Sequence, residues 1–128
     1  MKTPAERLVK TSELTGPALD WAVAKAEGVK STWHRGRFVT NFDLDPRSGG
    51  PFFDYYQPST NPAQAWPIIE REKLCPIWCE ELQQWGGNKK VANRFYFAQG
   101  PSFLIAAMRC YVAFKIGDTV EVPEELLP

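Results

Sequence analysis

The sequence predicts an α+β fold in which two main helices pack on a small, mostly antiparallel sheet and a long aromatic-rich loop crosses one edge. Three observations predict it. Two segments, one towards each end of the chain, repeat apolar residues at helical spacing between good capping residues. The stretch between them is β-like, irregular and broken by Pro, Gly, Ser and Asn. At 128 residues with an apolar share of 44%, the chain suits one domain, residues 1–128, with one core.

Leu8-Val9-Lys10-Thr11 suits a short strand. A helix follows from about Thr15 to Glu27, with Thr15 as N-cap, Pro17 in the first turn and Gly28 as C-cap. Leu19, Ala22, Val23 and Ala26 form its apolar face, Leu14 can pack back onto it, and its alanines permit close approach to the C-terminal helix. A strand is expected around Arg37-Phe38-Val39. Asp45 to Pro67 is dense in turn formers and reads as a long structured loop. Pro67 to Leu74 suits one or two helical turns, Gly86-Gly87-Asn88 suits a turn, and Asn93 to Ala98 suits a strand. Pro76 to Trp85 fits helix and strand equally well. The second main helix runs from about Ser102 to Ile116, opened by Gly100-Pro101 and closed by Gly117. Its wide apolar stripe comprises Leu104, Ala107, Met108, Tyr111 and Val112. Thr119-Val120-Glu121-Val122 alternates like a strand until Pro123.

Fifteen Lys and Arg balance fifteen Asp and Glu, which argues against a general nucleic-acid binder. Lys89, Lys90 and Arg94 with Phe95 and Tyr96 form a short basic cluster that a solvated turn beside a strand explains. The chain contains no apolar run long enough to span a membrane, and Met1 to Lys10 is too charged for a signal peptide. Cys75, Cys79 and Cys110 are odd in number, which reads as reduced thiols in a cytosolic protein.

Two segments carry a family resemblance. One is Lys10-Thr11-Ser12-Glu13-Leu14-Thr15-Gly16, continuing through Leu19-Asp20-Trp21-Ala22-Val23-Ala24. The other is Leu104-Ile105-Ala106-Ala107-Met108-Arg109-Cys110-Tyr111-Val112-Ala113, with Gly117-Asp118 and Val120-Glu121-Val122-Pro123 after it. Between them lie Tyr56-Gln57-Pro58-Ser59-Thr60-Asn61 and Pro67-Ile68-Ile69-Glu70-Arg71-Glu72. Together these resemble the NinX-like family of small phage and prophage proteins. The likeness covers most of the chain outside about Trp78 to Gln99. It departs from the family where Ala65-Trp66 stands in place of a Gly-Gly before Pro-Ile-Ile. The resemblance implies a phage origin and the cytoplasm of an infected bacterial host, and no particular activity, catalytic residue or cofactor.

Trp33, Phe38, Phe42, Phe52, Phe53, Tyr55, Tyr56 and Trp66 place 8 of the 17 aromatics within 34 residues, and His34, Arg35, Arg37 and Arg47 sit among them. Rings that stack on bases and guanidinium forks that grip phosphate are the residue mix of a nucleotide pocket. The bland alternative is an irregular core filled with rings, beside solvated arginines. Arg71, on a helix beginning near Pro67, could clamp an anion at that helix's N-terminus, or Glu70-Arg71-Glu72 could be a solvated charged turn. Cys75 and Cys79 with Cys110 and His34 make a poor zinc set, and Asp43 with Asp45 lacks a third carboxylate, so no metal is expected. His34 is the single histidine, and no nucleophile or phosphate-loop motif accompanies it, so no catalytic residue or cofactor is assigned.

The reading that follows is a phage accessory protein binding a small anionic, nucleotide-derived ligand, in its concrete form a host immune signalling nucleotide held out of circulation. Trp33, Trp66 or Tyr56 would stack, and Arg37, Arg47 or Arg71 would take phosphate. One alternative is a module that docks on a host or phage protein through exposed aromatics. Another is a small nucleotide-processing enzyme using His34 as acid or base. A homo-oligomer is compatible with a domain of this size.

Overall fold

The computed structural model describes residues 5–29, 32–34, 37–43 and 52–127, and only the backbone of 32–34, 37–43 and 52–54. The fold is α+β, with three α-helices and three small antiparallel sheets among the described residues. Strand β1 (Glu6–Lys10) pairs with β8 (Thr119–Pro123), with Glu6 opposite Pro123 and Lys10 opposite Thr119. Val120 and Val122 turn inwards while Thr119 and Glu121 face out, the alternation expected of a half-buried strand. The pairing extends past the ladder, because Thr11 donates its N–H to the Asp118 carbonyl at 2.8 Å and its hydroxyl to that of Gly117 at 2.6 Å.

Helix α1 spans Gly16–Glu27. Thr15 occupies the N-cap position without a side-chain capping bond, and Pro17 sits in the first turn. Gly28 ends the helix at φ 71°, where a Cβ would be strained, and Val29 N–H reaches back to the Ala24 carbonyl at 2.9 Å. Leu19, Ala22 and Val23 are fully buried, together with Leu14 just ahead of the helix.

The next sheet joins β2 (Thr32–His34), β3 (Arg37–Asp43) and β4 (Phe52–Tyr55) in that order, with Trp33 opposite Phe38 and Val39 opposite Tyr55. Helix α2 then runs Pro62–Glu72. Both β4 and the first half of α2 fall where a single long loop was expected. Phe-Phe-Asp-Tyr is short but rich in strand-favouring rings, and it finds a partner in β3. Asn61 caps α2 by accepting from Ala63 N–H at 3.0 Å, and Pro62 needs no N–H at the first position. Pro67, read from sequence as a helix start, lies inside α2, where it withholds one bond from the ladder.

Strands β5 (Cys75–Cys79), β6 (Gln84–Val91) and β7 (Arg94–Gly100) form a meander, which resolves the ambiguity of Pro76 to Trp85 in favour of strand and turn. Gly86-Gly87-Asn88 is not a turn; it lies in the middle of β6. Neither glycine has a positive φ, so they are not there for backbone freedom. What they supply is space: a Cβ on Gly87 would sit 2.9 Å from Ala107 Cα, and one on Gly100 would sit 2.9 Å from Ala106 N.

Those alanines belong to helix α3 (Phe103–Lys115), which Ser102 caps by accepting from Ile105 N–H at 3.2 Å. Ala106, Ala107, Met108, Cys110, Tyr111 and Val112 are all fully buried, so α3 is covered on more than one face. It packs on β6 and β7, on α1 and on α2. Helices α1 and α3 pack on each other as their alanines led one to expect, and the backbone of α3 at Ala106-Ala107 also lies close against Gly87 of β6 and Gly100 of β7.

Gly87→Ala is expected to destabilise the protein by about 1–3 kcal/mol, because the added methyl meets helix backbone that cannot rotate away. Thermal unfolding should show a midpoint lowered by several degrees.

Candidate ligand-binding site

The chain between β4 and α2 is a tight turn held by its own backbone and by side chains from α2 and α1. Gln57 carbonyl accepts from Thr60 N–H at 3.0 Å and from Asn61 N–H at 2.7 Å. Gln64, in the first turn of α2, accepts from Gln57 N–H and donates to the Tyr55 carbonyl, both at 2.6 Å. From α1, Asp20 accepts from Ser59 N–H at 2.9 Å. The result is an open cleft of about 410 Å³ lined by Tyr55, Gln57, Asn61, Ala63 and Gln64. Its walls offer amide groups able both to donate and to accept.

Trp66 follows Ala63 by three residues and so shares its side of α2. It is 57% exposed, a large ring left in solvent beside the cleft. Tyr56 points the other way and is buried. Burial, with the charges of Glu27 and Asp20 adding to it, pushes the Tyr56 hydroxyl up to about 12.

Behind the turn, α1, α2 and α3 meet at a charged junction. Arg71 donates to both carboxylate oxygens of Glu27, at 3.0 and 2.6 Å, to Glu72 at 2.7 Å and to the Tyr111 hydroxyl at 3.2 Å. Tyr111 in turn donates to Glu27, and Lys89 from β6 lies 3.4 Å from Glu72. Burial works against ionisation of Glu27, but the bonds from Arg71 and Tyr111 outweigh it and hold its carboxyl below the usual range. Glu72 is likewise held low against its burial by Arg71 and Lys89. The bonds to Glu27 and then Glu72 raise the Arg71 pKa still further. Four of the five guanidinium N–H bonds are therefore accounted for, and two carboxylates meet the charge. Helix α2 begins at Pro62, so Arg71 lies in its last turn and not beside N-terminal N–H groups.

The structure thus brings Tyr56 and Arg71 to one junction and sets Trp66 on the cleft side of α2. Trp33 and Arg37 are placed by backbone on β2 and β3, opposite Phe38 and His34, and Arg47 lies outside the described residues. Sequence reasoning missed Asp20, Glu27, Gln64 and Tyr111. Asp20 and Glu27 stand seven residues apart on α1, with Ala24 between them on the same stripe, and that spacing was the available signal. Among the described residues, no group of three or more His, Cys, Asp or Glu could hold a metal ion. Cys75 is exposed, Cys79 half-buried and Cys110 buried against the Tyr96 carbonyl. No helix among the described residues is long and apolar enough to cross a membrane.

Two outcomes are expected here. Burial raises the Asp20 pKa from 3.8 to about 6, against the bond from Ser59, so its ionised form costs stability above pH 6 and that cost disappears as pH falls towards 4. Asp20→Asn, which keeps an acceptor for Ser59, should be more stable than the parent by roughly 2 kcal/mol at pH 7.5 and equal to it near pH 4, read from denaturant unfolding across that range. Tyr111→Phe removes a buried donor to Glu27 and should cost about 1–3 kcal/mol at neutral pH, with a correspondingly lower unfolding midpoint.

The family model described as "Bacteriophage P22, NinX" matches residues 10–115. No curated protein matches the chain. The match spans α1, the turn with its cleft, the charged junction and all of α3, and on it the chain belongs to the NinX family of bacteriophage P22.

Proposed function

We propose that the protein is a phage accessory protein that binds a small anionic, nucleotide-derived ligand in the cytoplasm of an infected host. In its concrete form it withholds a host immune signalling nucleotide from its receptor. The observation that carries this reading is the cleft of about 410 Å³ between β4 and α2, open and amide-lined, with the exposed Trp66 on its flank. Strands β2 and β3, which carry Trp33 and Arg37, belong to the same sheet as β4, whose Tyr55 lines the cleft. Trp66 and Trp33 stack on a base, and Gln57 and Asn61 read its edge. Arg37 and Arg47 take the phosphate. Arg71 serves the same ligand from behind, holding α2 to α1 through Glu27, and the buried Tyr56 packs in the core under the turn.

A second reading has its own support. Ile77, Phe95 and Phe97 share the face of the β5–β6–β7 sheet turned away from α3 and are each more than 40% exposed, and an exposed apolar patch with rings is typical of a surface that docks a protein.

Thermal unfolding against a panel of linear and cyclic nucleotides and nicotinamide-derived signals separates the two. A ligand at about 100 times its dissociation constant should stabilise the fold by about 2.7 kcal/mol, a shift of several degrees. The shift should shrink in Trp66→Ala and in Arg37→Ala, and the compound should be recovered unchanged. If no compound moves the midpoint, the ligand reading fails, and a polypeptide recovered from infected cells would establish docking instead.

A further inference from the structure

A second concave region lies where the edge of β7 faces the turn after β1, and it shares no lining residue with the cleft beside Trp66. Two adjoining cavities, of about 260 and 360 Å³, meet there and have Ser12, Phe97, Ala98 and Arg109 in common. Arg109 is half-buried on α3. Its Nε donates to the Leu14 carbonyl and its Nη1 to the Gln99 carbonyl, both at 2.7 Å. These bonds pin the side chain, so the position of its guanidinium is set before any ligand arrives.

Two of the five guanidinium N–H bonds are used in this way, and three remain, two of them on Nη2. No carboxylate among the described residues pairs with Arg109, in contrast to Arg71. A half-buried cation with neutral partners alone is electrostatically incomplete, and burial duly draws the Arg109 pKa down. The first cavity adds Lys10 and Asp118 to its lining, so its side chains carry two positive charges against one negative. The Phe97 ring and Ala113 supply apolar wall.

We propose that this groove is an oxyanion site, in which Arg109 and Lys10 hold the phosphate or carboxylate group of a small organic anion whose apolar part rests on Phe97. The proposal is independent of the ligand assigned to the cleft. An oxyanion fits because a preset guanidinium fork matches two oxygens of one group, which chloride cannot do. Asp118, also in the lining, limits the site to ligands of low charge or disposes it towards those that also carry a hydroxyl or amine.

The test is a titration of the isotope-labelled full chain with sodium phosphate, with sodium acetate and with sodium chloride at matched ionic strength, followed by amide and guanidinium N–H resonances. Phosphate or acetate should shift Arg109 Nε–H, Ser12 N–H and Gln99 N–H together and to saturation, and chloride should not. Saturation by phosphate alone assigns an organic phosphate; saturation by acetate alone assigns a carboxylate. Arg109 itself is a poor variant because it holds two carbonyls in the fold. Ser12→Asp, at an exposed position, instead puts a competing carboxylate into the groove, and it should weaken binding by at least about tenfold while leaving the unfolding midpoint unchanged or higher. The proposal is overturned if the three resonances respond to phosphate and acetate no more than to chloride, or if Ser12→Asp titrates like the parent.

Discussion

Gly87 and Gly100 allow β6 and β7 to lie directly on the backbone of α3 at Ala106 and Ala107, and the positions of the remaining elements follow from that approach. A helix seated this deeply needs apolar side chains on its other faces as well, which Met108, Tyr111 and Val112 provide. It then has surface left for α1 and α2, and α1 also packs against β8 and β3. Each fully buried side chain of this size contributes about 1.5–3 kcal/mol, so the packing around one helix is the main source of stability.

Where the three helices meet, the packing is ionic. Glu27 on α1, Arg71 and Glu72 on α2 and Lys89 on β6 neutralise one another, while Tyr111 ties the group to the core. Arg71 and Arg109 show how context separates two arginines that composition cannot. The first is saturated by carboxylates and works as a fastener; the second is fastened by carbonyls and keeps donors in hand. Asp20 is the unfavourable member, a buried carboxylate kept for the bond that fixes the turn at Ser59. Segments that carry the family likeness touch in space, since Asp20 meets Ser59 and Arg71 meets Tyr111.

The two long helices and the terminal strands were legible in the sequence because their signals are local. Capping residues, a helical apolar period and a clean alternation each need only their neighbours: Gly28 and Val120-Val122 behave as read, and Thr15 holds the N-cap position, though without a side-chain bond. Gly86-Gly87 was misread because glycine has two uses, freedom of φ and absence of a side chain, and only the partner across the gap says which applies. Helix α2 was started late because Pro67 looks like a first residue until Asn61-Pro62 is recognised as a better start. Tyr56, Trp66 and Arg71 were picked out by residue type, and type alone could not place one ring in the core, one in solvent and the arginine among acids. Gln64 and Glu27 carry no such mark, since their roles arise only from contacts made across the fold.

The pairing of β1 with β8 has a consequence for how the protein is made. Thr11 and Gly117, which close the end of that ladder, are 106 residues apart in sequence. During synthesis β1 emerges before β8 and stays unpaired until the residues between them have followed, with the exposed Leu8 in a lone strand edge. Contacts of such long range also slow folding, since the loop they close is ordered at an entropic cost before the ladder gives anything back. The helices and the β5–β6–β7 meander can form from nearer neighbours, so a nascent chain halted short of β8 leaves β1 as an adhesive edge without its partner.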